Sequence, residues 1–533
     1  MMEKEYRPSK IWAINETDDA PHSDYTLFLS SGKRLLQKLA HGCVPSFLQR
    51  RTIRPSSPKA QRLHPTSYLD GLRGVASFIV FMGHYTEENI GWWTEPYGLY
   101  EDGAPSSPIQ LPFIRVLYSA RPMVHIFFII SGFVLAYKPL KQIHSQQYGA
   151  LASTLSSSVF RRALRLFLPS FITLLIMALA VYYGISEARY AFPLHTLSSQ
   201  LGNWSQTCWE LLQSSWAWDD PSIPQPRYNP ALWTIPVEFA QSMLLFIVIL
   251  GLSHVRITMR LFILACIISF CFWSAQLHAV EFLGGMFIAE VTLLQSYQAA
   301  SSSLDGENSP ILPTSEFLDP LTSHSPTSTS ASRLTSIFTF SQPYAFGATT
   351  SVKQTLIQIF WILNVISGLF ISSWTNAHIS EVPGLSILDA HTPSPYSGQR
   401  VWFCLAAFQI VIACTQLPSL QSLFNHPLSQ YLGNISYALY LTHNLCLTAM
   451  EPRIAPLFEA WIGKSTFMGR HVTWVAGLVV YGPVILWMAD LFWRVVDVRT
   501  VKLARWIESW CLVEKGAVAG LGVDGQRRRN MDA

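Results

Sequence analysis

Arg73 and His84 stand eleven residues apart in the stretch that opens Leu69-Asp70-Gly71-Leu72-Arg73-Gly74. On an α-helix that spacing leaves them about 20° apart around the axis and about 16 Å apart along it. Histidine accepts a proton near neutral pH, so His84 is a candidate general base for a hydroxyl. Arg73 keeps its charge and suits a phosphate, a carboxylate, or pairing with Asp70 one turn earlier. The plainer alternatives are a histidine bonded to a neighbouring helix and an arginine anchored at a membrane surface. A second basic group, Arg161, Arg162 and Arg165, lies in Phe160-Arg161-Arg162-Ala163-Leu164-Arg165. It either sets membrane topology or binds the phosphates of an anionic cofactor such as coenzyme A.

Other polar residues interrupt apolar runs. Glu238 follows Leu232-Trp233-Thr234-Ile235-Pro236-Val237, and Pro236 fits the first turn of a helix. A carboxylate at such a depth pairs with a cation, carries a proton or faces a wet cavity. Ser436, Tyr440 and His443 recur at i, i+4 and i+7, one helical face that forms either a polar seam or a hydrogen-bonded interface. Ser131-Gly132 lets another backbone approach closely. Arg121 and His125 lie near one end of the same segment.

The elements that must position these groups are membrane helices. Half of the 533 residues are apolar and 13% are charged, against about 25% in soluble proteins. The expected fold is all-α, a polytopic transmembrane helix bundle of about ten spans. Their approximate ranges are 70–90, 113–137, 164–184, 231–252, 259–276, 278–297, 355–374, 400–417, 431–450 and 473–496. Residues 1–66 read as a disordered basic tail, and no secretory signal peptide is expected there. Residues 67–297 hold the first six spans. Residues 298–350, rich in Ser, Thr and Pro, form a linker, residues 351–500 hold the last four spans, and 501–533 form a second basic tail.

Lys138, Lys141, Arg161, Arg162, Arg165, Arg256 and Arg260 fall on one side, whereas the loop at 87–112 holds five acids and no Lys or Arg. The positive-inside rule then puts both termini in the cytosol. Asn203-Trp204-Ser205 in the far-side loop is an acceptor pattern for N-glycosylation, which fits an endomembrane such as the endoplasmic reticulum. A net charge of +4 is too small to indicate nucleic acid as a partner. The cysteines show no metal-ligand or disulfide spacing and read as packed thiols.

Five ordered motifs, LDGLRG, FFIISGFVL, FRRALRLFLP, LWTIPVEF and LGNISYALYLTH, span residues 69–443. With them the chain resembles the acyltransferase-3 family of integral membrane acyltransferases. The resemblance implies transfer of an acyl group, commonly acetyl, from acyl-CoA to a hydroxyl of a small metabolite or glycan, with no metal. It implies that Arg73 and His84 are essential, His84 as proton acceptor or transient acyl carrier. It places Arg161, Arg162 and Arg165 near the donor phosphates and makes Glu238 and His443 cavity-lining. Tyr440 or Trp233 could donate to the developing oxyanion. Bacterial members often carry an acidic residue where His125 stands. The rival expectation is a proton-coupled transporter or flippase using the same polar seam. Against it, the sequence shows no internal repeat and no matching pair of Gly/Pro-broken spans.

Overall fold

The computed structural model describes residues 44–46, 49, 63–98, 106–187, 191–216, 226–305, 352–396 and 398–512. Most of the expected N-terminal tail, the linker beyond residue 305 and the tail beyond 512 lie outside them. The chain divides into Met1–Pro58 and Lys59–Ala533, and everything below concerns the second unit.

Among the described residues every regular element is helical. The principal helices are α1 Ser67–Asn89, α2 Ala120–His144, α3 Tyr148–Tyr182, α4 Leu197–Gln213, α5 Thr234–Gly251, α6 Ile257–Trp273 and α7 Leu277–Asp305. There follow α8 Val352–Ser372, α9 Leu385–Ala390, α10 Gln399–Gln416, α11 Pro418–Asn425, α12 Pro427–Trp461, α13 Phe467–Phe492 and α14 Val498–Cys511. Each of the ten expected segments falls on a helix. Among the described residues six helices are long and apolar enough to cross a membrane, or seven if the α10–α11 pair, bent by 94°, is one span. α1 and α12 are not among them, because polar residues break their apolar runs. Two boundaries differ from expectation. α7 runs on to Asp305 into the expected linker, and residues 501–511 of the expected tail are helical.

Proline sets several of the breaks. α11 starts at Pro418 and α12 at Pro427, where the missing N–H costs nothing. Leu417, before Pro418, is extended, as the pyrrolidine ring demands of its predecessor, and the chain turns there.

Two glycine crossings fix the packing. A Cβ on Gly74 of α1 would lie 2.2 Å from the Gly433 nitrogen of α12, and one on Gly433 would lie 2.5 Å from the Asp70 carbonyl. At the second crossing, a Cβ on Gly132 of α2 would lie 2.1 Å from the Phe282 carbonyl of α7. One on Gly285 would lie 2.2 Å from the Ile129 carbonyl. Backbone therefore packs on backbone, the arrangement that small residues permit between membrane helices. Leu69, Phe81, Ile129, Phe133, Phe282 and Ile435 fill the core around both crossings.

The loop between α8 and α10 is clasped to the loop after α1. Asn376 N–H donates to the Thr94 carbonyl at 3.1 Å, and His378 Nδ1 meets Glu95 Oε2 at 2.9 Å. The hydrogen bond and charge of Glu95 raise the His378 pKa above its ordinary 6.5.

Gly433→Val is expected to destabilise the protein by about 1–3 kcal/mol or more. Gly202→Ala, where no atom lies within 4 Å of the added carbon, should not. Thermal unfolding in detergent checks both. The His378 clasp is complete below pH 6.5 and is lost as pH rises through the higher folded value. An NMR titration should show His378 above 6.5 in the wild type and back near it in Glu95→Gln.

Candidate active site

α1 and α12 meet along one seam, and the Arg73 and His84 motif supplies one side of it. At one end Arg73 Nε donates to Ser436 Oγ at 3.0 Å, and its terminal nitrogens reach the Gly433 carbonyl at 3.3 Å and Asp70 at 3.1 Å. At the other end the His84 ring stacks on His443, with centroids 5.2 Å apart and planes at 21°. Ser436 and His443, seven residues apart, thus contact the two members of an eleven-residue pair. Tyr440, between them, turns to α5 instead. Its hydroxyl donates to the Ala231 carbonyl and shares a 2.7 Å hydrogen bond with Thr234.

His84 lines a cavity of about 1080 Å³ at the end of the bundle where α1 stops and α2 begins. Trp233, Tyr440, His125 and His278 share its wall, with Val80, Phe403 and Leu447 as apolar surface. Exposed Glu87, Glu88, Glu187 and Glu459, with Arg121 and Arg400, surround the opening. His84, Trp233 and Tyr440 lie in this wall. His443 is a correction: it is fully buried behind His84, its Nδ1 bonded to the Leu439 carbonyl at 3.0 Å and its Nε2 without a partner. Glu238 is another. Its carboxylate is drawn away from the cavity to Arg162, because a buried cation holds a buried acid more firmly than a wet wall would.

The arginine cluster is dispersed. Arg161 pairs with Glu508 of α14 at 3.1 Å. Arg162 pairs with Glu238 and donates to Ser242 Oγ at 2.9 Å. Arg165 acts, with Arg73, on the Asp497 carboxylate. Arg73 and Arg165 both lie within electrostatic reach of Asp497, and Arg73 is not among the residues of the cavity wall. Asn203 sits on α4, its side-chain oxygen accepting from the Tyr228 hydroxyl at 2.7 Å. The described cysteines are all free thiols.

Sequence reasoning passed over His278 and Glu281. Glu281, wholly buried in α7, holds the Nδ1 of His125 on one carboxylate oxygen and the Nδ1 of His278 on the other, the latter at 3.0 Å. The signal was available: an acid three residues after a histidine inside an apolar run has few bland explanations in a membrane.

The acyltransferase domain of the acyltransferase-3 family matches residues 66–494. The chain belongs to this family. It is similar to an O-acetyltransferase, PaAT-1, of Phomopsis amygdali, 30% identical over 85% of this chain and 87% of the relative. It is also similar to acyltransferase clz18 of Cochliobolus lunatus, 24% identical over 75% of this chain and 86% of that one. No solved structure matches. As an acyltransferase-3 member with several apolar helices, the protein is an acyltransferase and a multi-pass membrane protein. The five motifs fall on α1, α2, α3, α5 and α12, and of these α1, α2, α5 and α12 contribute to the seam or the cavity wall.

If Arg162 serves chiefly to neutralise Glu238, then Glu238→Gln should cost about 3–5 kcal/mol by leaving a buried guanidinium alone. The double variant Arg162→Met, Glu238→Leu should regain most of that in thermal unfolding. A double variant as unstable as the single one would show that Arg162 answers to something else.

Proposed function

We propose that the protein transfers an acetyl group from acetyl-CoA to a hydroxyl of a small acceptor, a metabolite or glycan, held in the cavity. The observation that carries this reading is His84 in the wall of a 1080 Å³ cavity, its ring steadied by the stacked His443. The Phomopsis relative, an O-acetyltransferase by name, supports both the acetyl group and the oxygen acceptor.

In this reading the acceptor hydroxyl gives its proton to a His84 ring nitrogen as its oxygen attacks the thioester carbonyl. The tetrahedral intermediate then expels the CoA thiolate, which takes the proton from the imidazolium. The products are an ester and a free thiol. Trp233 lies in the same wall and its indole N–H is the candidate donor to the oxyanion, because the single Tyr440 proton is already given to the Ala231 carbonyl. The acidic surround of the opening disfavours entry of a polyphosphate by Coulomb repulsion. The donor therefore approaches away from that opening, at Arg73 and Arg165, and only its pantetheine arm reaches toward His84. With both termini cytosolic, the donor end faces the cytosol and the acceptor cavity faces the lumen of an endomembrane.

Purified protein with radiolabelled acetyl-CoA and a hydroxyl acceptor should form ester. His84→Ala should lower the rate by about 10²–10⁴-fold. Ester formation at the wild-type rate in His84→Ala would remove the proposed base. Acceptor movement across proteoliposomes without a donor would favour transport instead.

A further inference from the structure

His125 lies on the same cavity wall as His84 but is held quite differently. Its Nδ1 is bonded to Glu281, which is completely buried and braced through its other oxygen by His278. An ionised carboxylate only accepts hydrogen bonds, so the neutral His125 ring carries its proton on Nδ1 and presents a lone pair at Nε2. The ring lines the cavity, with Nδ1 occupied by Glu281. His84 makes no comparable bond to a carboxylate and is held by stacking on His443.

The cavity wall therefore presents three imidazoles, His84 held by stacking on His443, and His125 and His278 both tied through Nδ1 to Glu281. The same wall holds Trp233, Phe403 and Val80, which suit an apolar skeleton. A buried carboxylate shared by two histidines is costly to keep in a membrane bundle unless the fixed ring is used or the pair ties helices together. α2 and α7 are already joined by the Gly132–Gly285 crossing, which makes the tie redundant.

We propose that Glu281 is a positioning residue, and that it fixes His125 to accept a hydrogen bond from a second hydroxyl of the acceptor while His84 serves the hydroxyl that is acylated. The acceptor class is then an apolar-bodied molecule with at least two hydroxyls. The assignment rests on the acyl-transfer reading for the role of His84, but the binding of a diol by His125 does not.

Cyclohexanol and the 1,2-, 1,3- and 1,4-cyclohexanediols serve as probes, with kcat/KM for acetyl transfer and saturation-transfer NMR for binding in detergent. At least one diol should exceed cyclohexanol by about tenfold in the wild type. In His125→Phe that ratio should fall to about one, and in His125→Gln, whose amide oxygen still accepts, part of it should return. Glu281→Gln, which presents an amide N–H₂ to one imidazole and perturbs its tautomer, should lower the same ratio through KM for the diol. A wild type that treats all four alcohols alike, or a preference that survives in His125→Phe, overturns the assignment. Diol binding that depends on His125 without any ester formed would uphold it and defeat the acyl-transfer reading alone.

Discussion

The backbone contact between Gly74 and Gly433 is the constraint on which the site depends. A methyl group at either position would meet backbone atoms closer than any carbon tolerates. Because the two helices touch there, side chains along the seam meet their partners without reaching. Arg73 meets Ser436 and Gly433 at the contact itself, and His84 meets His443 further along both helices. The rigidity this gives the His84 ring is the kind a proton-transfer group needs, since misplacement of an ångström is costly to rate.

Away from the seam, buried charge governs the arrangement. Arg162 with Glu238, Arg260 and His144 with Glu290, and His125 and His278 with Glu281 each bring opposite or hydrogen-bonding partners from different helices together. In a low-dielectric bundle an ionised side chain has little water to lean on, so its position is settled by where a partner stands. This is why the arginine cluster of α3 splits among three directions although its residues are nearly adjacent in sequence.

Much of this was legible in the sequence. The ten apolar segments fall on helices, the Arg73 and His84 spacing marks one stripe of α1, and Ser131-Gly132 reads as a packing site, which Gly285 completes. The family itself was visible in five motifs. What the sequence did not reveal were pairings between distant segments. Glu238 looks equally at home on a cavity wall or beside a cation until Arg162 is placed next to it. His443 shares a helical face with Ser436 and Tyr440, but whether that face meets water or another ring depends on α1. Helical periodicity locates a face and does not say what lies opposite it. His278 and Glu281 were a different kind of omission, since their burial in an apolar stretch was evident from composition alone.

The closure of α1 onto α12 has a consequence for biosynthesis. Arg73 and Gly433 are 360 residues apart. At about 5–20 residues per second, translation leaves α1 without its partner for roughly 18 to 72 s. During that time a segment bearing Asp70, Arg73, His84 and two terminal glutamates must wait beside the translocation machinery or lean on α2, with its glycines uncovered. α1 thus acquires its partner late in synthesis, and the cavity beside it is completed only once α12 has been made.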